Sequence, residues 1–195
     1  MPTKRHFHKR NLPHLYYDEG IYFVTFRLYN SIHPGELLKL QKFRSERTET
    51  DRPKIFKKYD ELLDKPNNNI KYLIIPSIAE ICKNSIMHYD GKEIEIICYC
   101  IMPNHIHLVF ELLDKEKLVG DIIASIKKYS ARLANKVLNK TGKFWQAESF
   151  DRLVRDEKEL YNIIKYVLLN PVTAGLVEDY KDWQHTYCKK EYMVL

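Results

Sequence analysis

The chain has 195 residues, and its 32 lysines and arginines against 26 aspartates and glutamates give it a formal net charge of +6. A chain of this length buries one core, so we expect a single domain over residues 1–195. No apolar run reaches the length of a membrane span, which argues against an integral membrane protein, and we expect a cytoplasmic one with no membrane partner. The excess of basic residues suits a polyanionic partner without identifying it.

Four cysteines are present, and none of them has the spacing of a zinc site. Cys98 and Cys100 lie on the same face of a predicted strand, where a cysteine usually acts as a small buried hydrophobe. This usage indicates a reducing compartment.

Basic residues and two prolines dominate residues 1–14, which predicts a cationic arm with little regular structure. The first strand is predicted over residues 21–28, where β-branched and aromatic residues follow Gly20. Residues 36–69 mix helix-forming pieces with Pro53 and Pro66 and predict a charged helical insertion that packs lightly on the core.

A first core helix is predicted within residues 70–88, where apolar residues recur at helical spacing and Pro76 suits a helix start. Residues 93–101 and 105–112 then alternate as strands, and the Pro103 break between them predicts a hairpin or meander.

Two histidines, His105 and His107, begin the second of these strands. Strand side chains alternate with period 2, so both imidazoles project from the same face. A neutral imidazole is the commonest metal ligand in proteins, and the pair needs only a third donor to hold a divalent ion. An isolated pair of this kind more often lies on the solvated face of a strand, so other residues are needed to choose between a metal site and a polar surface.

A long amphipathic helix is predicted over residues 115–140, and its polar face includes Lys127, Lys128 and Arg132. This face is either an ordinary solvated surface or a contact for DNA phosphates. Tyr129 falls among the apolar positions and is interpreted as a core residue rather than a nucleophile.

Residues 143–154 predict a further strand or extended segment. Trp145 in this segment is a candidate for stacking on unpaired bases, although core packing is an equal alternative. Arg152 and Arg155 are candidates for phosphate contacts, because they directly precede the next helix.

The last long helix is predicted over residues 157–169, with Asp156 as its N-cap and Pro171 as its stop. Tyr166 lies to one side of its apolar stripe, and Asn170, one turn later, lies on the same side. Core packing therefore gives no evident reason for a tyrosine at this position.

A strand-borne histidine pair followed by a tyrosine and an amide on a late helix resembles the HUH-type, single-tyrosine transposases of the IS200-like family, in particular the REP-associated tyrosine transposases. The resemblance covers most of the chain and depends on the order and spacing of six stretches. These are RNLPH at 10–14, YFVTFR at 22–27, IMPNHIHL at 101–108, GKFWQ at 142–146, FDR at 150–152 and IKYVLLNPVTAGL at 164–176.

The resemblance implies an α+β fold, namely a ferredoxin-like antiparallel sheet with helices on one face, here with the charged insertion added. By position in the motifs, His105 and His107 match the family's metal-binding pair, Tyr166 matches its nucleophile and Asn170 matches the third ligand. The family often has glutamine at this last position. Residues 36–69 match nothing in the family pattern.

The implied activity is that of a metal-dependent endonuclease and strand transferase acting on single-stranded DNA that carries a hairpin, either REP-like or at the end of an element. Mg²⁺ or Mn²⁺ would polarise the phosphodiester, and Tyr166 would form a 5′-phosphotyrosine. The resemblance is compatible with a monomer or a homodimer associated with the nucleoid. Two alternatives stay open: a domesticated protein that binds DNA hairpins without cleaving them, and a phosphodiesterase that uses water.

Overall fold

The computed structural model describes residues 4–9, 13–17, 19–46, 51–65, 69–193 and 195. The strands in this part of the chain are β1 (Lys4–Lys9), β2 (Pro13–Tyr17), β3 (Gly20–Arg27), β4 (Ile94–Ile101), β5 (His105–Leu112), β6 (Phe150–Leu153) and β7 (Thr186–Cys188). The α-helices are α1 (Pro34–Ser45), α2 (Arg52–Leu63), α3 (Pro76–Met87), α4 (Val119–Val137) and α5 (Glu157–Thr173).

Five strands form one antiparallel sheet in the order β6-β3-β5-β4-β7. Strand β5 lies at its centre and pairs with β3 along its whole length and with β4 from Ile106 to Leu112. In this register His107 lies opposite Thr25 of β3 and Cys100 of β4. The predicted α+β class with an antiparallel sheet is confirmed, and the histidine pair lies at the beginning of the central strand of that sheet.

Helices cover both faces of the sheet, so the expectation of helices on one face is wrong. Ile106, Leu108 and Phe110 of β5 share a core with residues of α3 and α4. On the other face, Val109 shares a second core with residues of α2 and α5. The side chains of β5 are buried on both faces of the sheet, apart from that of Glu111, so both faces have to be covered, and this requirement decides the layering.

The N-terminal arm forms a hairpin in its described part, contrary to the prediction of little regular structure. β1 and β2 are antiparallel, with Phe7 opposite Leu15 and His8 opposite His14. Aromatic residues in both segments favour extended backbone, and pairing gives their backbone groups hydrogen-bond partners. The short edge strand β7 was also not predicted; it pairs with β4.

The insertion forms α1 and α2, as the sequence predicts, but α2 does more than pack lightly. Phe56 is 8% exposed and lies edge-on to Phe23 and Tyr166, with ring centroids 5.2 and 5.6 Å away. Its ring also contacts that of Phe150. The helix therefore closes the face of the sheet that carries the histidines.

The α5 helix begins as predicted, because the Asp156 carboxylate accepts a hydrogen bond from the backbone N–H of Glu159 at 2.8 Å. Its end differs, since the helix continues through Pro171 to Thr173. A proline in the last turn costs one backbone hydrogen bond, which the buried contacts of this turn offset. Asn170 consequently stays helical, one turn after Tyr166. None of the helices in the described ranges has both the length and the apolar character to cross a bilayer.

Candidate active site

The site is built around the two histidines of β5. His105 and His107 are both 0% exposed, and their Nε2 atoms lie 3.0 Å apart. Their outer nitrogens are also engaged: Nδ1 of His105 lies 2.6 Å from Oδ1 of Asn104, and Nδ1 of His107 lies 2.8 Å from Oγ1 of Thr25. Hydrogen bonds to the outer nitrogens orient the rings of metal-binding histidines in this way.

Helix α5 brings the predicted tyrosine and amide to this pair. The phenol oxygen of Tyr166 lies 3.2 Å from Nε2 of His107. Nδ2 of Asn170 donates to the same phenol oxygen at 3.1 Å, as expected for residues one helical turn apart. The structure thus brings together His105, His107, Tyr166 and Asn170, four residues that the sequence analysis selected from two distant segments.

Asp60 of α2 completes the cluster, and the sequence analysis missed it. Oδ1 of Asp60 lies 3.4 Å from Nε2 of His107, and Oδ2 lies 3.5 Å from Nδ2 of Asn170. One carboxylate oxygen of Asp60 and one ring nitrogen each of His105 and His107, the atoms that could ligate a metal, all lie within 4.8 Å of one another. The sequence did contain a signal for Asp60: it is an acidic residue on the apolar side of an amphipathic helix, one turn after Phe56, where a buried carboxylate needs a partner.

Burial decides the protonation of the site. It lowers the pKa of His105 to about 3, with the neighbouring His107 adding to the effect, so this imidazole is neutral. Burial also raises the pKa of Tyr166 far above its ordinary value, and the Asp60 carboxylate raises it further. Burial would raise the pKa of Asp60 as well, but the polar contacts of its carboxylate with His107 and Tyr166 outweigh burial and hold that pKa low.

Two oxygen atoms next to the histidines show that this donor set fits a hard divalent cation. Oδ1 of Asp60 and Oδ1 of Asn170 are buried and have no hydrogen-bond partner among the described residues. Buried polar atoms without partners are costly, and carboxylate and amide oxygens are ligands that Mg²⁺ and Mn²⁺ accept beside imidazole.

The predicted DNA contacts fall into two groups. Lys128, Arg132 and Arg155 have exposed side chains. Lys127 is 9% exposed and donates to the carbonyl oxygen of Ala147 at 2.9 Å. Its buried ammonium anchors the segment before β6.

Trp145 and Arg152 are also engaged within the chain. The indole of Trp145 is 6% exposed and donates to Oγ of Ser130 at 2.9 Å, so its ring faces lie in the core in this conformation. Arg152 pairs with Glu159 at 3.0 Å, and its guanidinium carbon lies 5.9 Å from the centre of the Phe23 ring.

Tyr129 lies at the surface of α4, so its interpretation as a core residue is wrong. Its side chain is 48% exposed, with the Arg132 guanidinium 5.6 Å from the ring centre. Helix α4 covers the face of the sheet opposite to the histidines, which removes Tyr129 as a rival nucleophile.

The fold and the sequence together define the class of protein. Residues 67–169, more than half of the chain, match the family model described as Transposase IS200 like. The chain therefore belongs to the IS200-like transposase family. Helix α2 and Asp60 lie outside the matched segment.

Two relatives narrow the comparison. The chain is 32% identical over 113 residues to a Haemophilus influenzae protein assigned to the REP-associated tyrosine transposases, a match over 53% of this chain and 62% of that protein. It is 24% identical over 95 residues to the REP-associated tyrosine transposase of Escherichia coli strain K12, over 47% of this chain and 53% of that protein. The chain thus matches between half and two thirds of the length of each relative.

A solved structure of a REP-associated tyrosine transposase bound to a REP hairpin shares the fold. It covers 86% of this chain and 75% of its own length, with a TM-score of 0.56 and 17% sequence identity.

Proposed function

We propose that this protein cleaves and rejoins single-stranded DNA beside a hairpin, with Tyr166 as the nucleophile. The observation that carries the proposal is the 3.2 Å distance between the phenol oxygen of Tyr166 and Nε2 of His107, at the edge of the cluster with Asp60. Attack of this oxygen on a phosphodiester would form a 5′-phosphotyrosine and release a 3′-hydroxyl. The bond energy is kept in the new ester, so rejoining needs neither ATP nor water.

Four residues would hold the divalent ion: His105 and His107 through Nε2, and Asp60 and Asn170 through oxygen. A bound Mg²⁺ or Mn²⁺ would polarise the scissile phosphate and offset the negative charge that develops on it. The side chains around Tyr166 would position the phenol for attack. Asn170 donates to the phenol of Tyr166, and the packing of Phe23 and Phe56 on the Tyr166 ring limits the directions from which this phenol can attack.

Hairpin DNA is the proposed substrate, supported by the hairpin in the structure of the similar transposase. The exposed Lys128 and Arg132 on α4 and Arg155 before α5 are the proposed phosphate contacts. Arg152 is proposed to contact DNA on the side of the sheet that carries the histidines. Lys127 and Trp145 are proposed to act indirectly, because both are buried: Lys127 holds the segment before β6 through the carbonyl of Ala147, and Trp145 packs in the core beneath it.

Access to the site requires a movement. His105 and His107 are 0% exposed, and Phe56 and Asp60 of α2 lie over them. A DNA phosphate has to reach the cation that the histidines and Asp60 would hold, and the ring of Phe56 lies over this position. We therefore expect α2 to loosen around Phe56 when the strand enters, while Asp60 stays within reach of the cation.

The test uses labelled single-stranded hairpin oligonucleotides with Mn²⁺ or Mg²⁺, resolved on denaturing gels. A metal-dependent band of DNA joined to protein, absent in Tyr166→Phe, is the expected result. Cleavage without such a band would instead establish hydrolysis by water. Binding without cleavage across a broad set of hairpins would establish a domesticated hairpin-binding protein.

A further inference from the structure

Asn104 connects the first histidine to the insertion. It is 3% exposed, its Oδ1 lies 2.6 Å from Nδ1 of His105, and its Nδ2 donates to the carbonyl oxygen of Leu63 at 2.8 Å. Leu63 is the last residue of α2, and the last four carbonyls of a helix have no partner within it. The side chain of Asn104 therefore satisfies the end of α2 and contacts His105 at the same time.

The donor and the acceptor can be assigned in both hydrogen bonds of Asn104, the one to Leu63 and the one to His105. A carbonyl oxygen only accepts, so the atom of Asn104 that faces Leu63 is the amide nitrogen. The remaining Oδ1 also only accepts, so Nδ1 of His105 carries the proton. Nε2 of His105 then has a lone pair, and that lone pair points into the site.

His107 is held differently, because its Nδ1 faces the hydroxyl of Thr25, which can donate or accept. Nε2 of His105 is an acceptor 3.0 Å from Nε2 of His107, so in the metal-free site His107 carries its proton on Nε2 and donates it. A cation held by both histidines would need the lone pair of Nε2 on each ring. His107 would then carry its proton on Nδ1, and the Thr25 hydroxyl would accept from it instead of donating to it.

We propose that Asn104 is a positioning residue that keeps His105 in the tautomer ready to bind metal, that the Leu63 carbonyl of α2 orients Asn104, and that only His107 changes tautomer when a divalent cation binds. The inference builds on the metal site of the proposed function. Its consequence is that a helix outside the segment matched by the family model sets the state of a histidine inside that segment.

The first experiment reads the tautomers of the metal-free protein directly, by two-bond ¹H–¹⁵N NMR of ¹⁵N-histidine-labelled chain. The signals are assigned with His105→Ala and His107→Ala. We expect the proton on Nδ1 of His105 and on Nε2 of His107. Saturation with Mg²⁺ should move the proton of His107 alone. A proton on Nε2 of His105 in the metal-free protein would overturn the inference, whatever the protein does to DNA.

The second experiment measures Mn²⁺ affinity by electron paramagnetic resonance. Asn104→Ala removes both hydrogen bonds and should weaken Mn²⁺ binding by about 10- to 100-fold, the usual cost of losing such a partner. Asn104→Asp keeps an acceptor for His105 and should restore most of the affinity, while amide exchange at the end of α2 rises because the donor to Leu63 is lost. This rescue separates positioning from a general loss of fold.

Asn84→Ala, at an exposed position of α3, is the matched control and should bind Mn²⁺ as the parent does. Equal Mn²⁺ affinity in the parent and in Asn104→Ala would overturn the positioning role. A parent protein that binds no divalent ion would count against the proposed function, and the NMR result on the metal-free chain would still decide the tautomer of His105.

Discussion

The phenol oxygen of Tyr166 lies 3.2 Å from Nε2 of His107, and this distance joins the last long helix to the central strand of the sheet. The same phenol accepts a hydrogen bond from Asn170, so its position is fixed from two sides. In the proposed function, a nucleophile held this close to the imidazole of His107 would lie within reach of a phosphate that contacts the bound cation.

Removing this phenol gives the first prediction. Tyr166→Phe should form no covalent adduct with hairpin DNA, while its Mn²⁺ affinity stays that of the parent, because the phenol is not among the proposed ligands. Denaturing gels and an Mn²⁺ titration measure the two properties. Tyr161→Phe, at a 47% exposed position of the same helix, is the control and should form the adduct normally. An adduct in Tyr166→Phe would place the nucleophile elsewhere.

Asp60 is the subject of the second prediction. Asp60→Asn keeps the shape of the side chain but removes the negative charge beside His107, and the number of charged ligands sets the affinity of such sites. We expect Mn²⁺ binding to weaken by about tenfold or more. Glu61→Gln removes an equal charge from the exposed side of the same helix and should leave binding unchanged. Parent-like affinity in Asp60→Asn would mean that Asp60 is not a ligand.

A substitution at Trp145 distinguishes a role in the core from a role in DNA contact. Trp145→Phe loses the hydrogen bond to Ser130 and leaves a gap beside Phe26, so we expect the free energy of unfolding to fall by about 1–3 kcal/mol. DNA affinity, measured by fluorescence anisotropy, should not change under conditions where the variant is folded. The reverse pattern, normal stability in urea with weaker DNA binding, would show that the indole turns outward to stack on a base.

The exposed cations of α4 predict a salt effect. Replacing both Lys128 and Arg132 by alanine should weaken hairpin binding and reduce the slope of log K against log salt by about 2, one for each lost phosphate contact. Lys92→Ala combined with Lys181→Ala changes the net charge equally at other exposed positions and serves as the control. If both pairs lower the slope alike, the effect is one of overall charge.

Closure of the site by α2 predicts a change in hydrogen exchange. When uncleaved hairpin DNA is bound to Tyr166→Phe, the backbone amides of α2 should exchange faster, because the helix loosens around Phe56 to admit the strand while Asp60 still reaches the cation. The amides of β5 should keep their protection. Unchanged exchange in α2, together with cleavage by the parent protein under the same conditions, would show that DNA enters by another route.

The sequence predicted the features of this protein that depend on neighbours within one element. Residues two apart on a strand share a face, which placed His105 and His107 together, and residues four apart on a helix meet, which placed Tyr166 beside Asn170. The cap at Asp156 was predictable for the same reason, because it depends on the next three residues.

Tertiary structure decided everything that depends on which elements meet. Asp60 reaches His107 from a helix more than forty residues earlier, and no local period connects the two. The exposure of Tyr129 and the burial of Trp145 follow from which side of α4 faces the sheet and where the segment before β6 crosses it. Periodicity fixes the faces of single elements, whereas the pairing of those faces depends on packing the whole core. The sequence by itself therefore determined the tyrosine and the two histidines of the candidate site, and only the folded chain brought the carboxylate of the insertion to them.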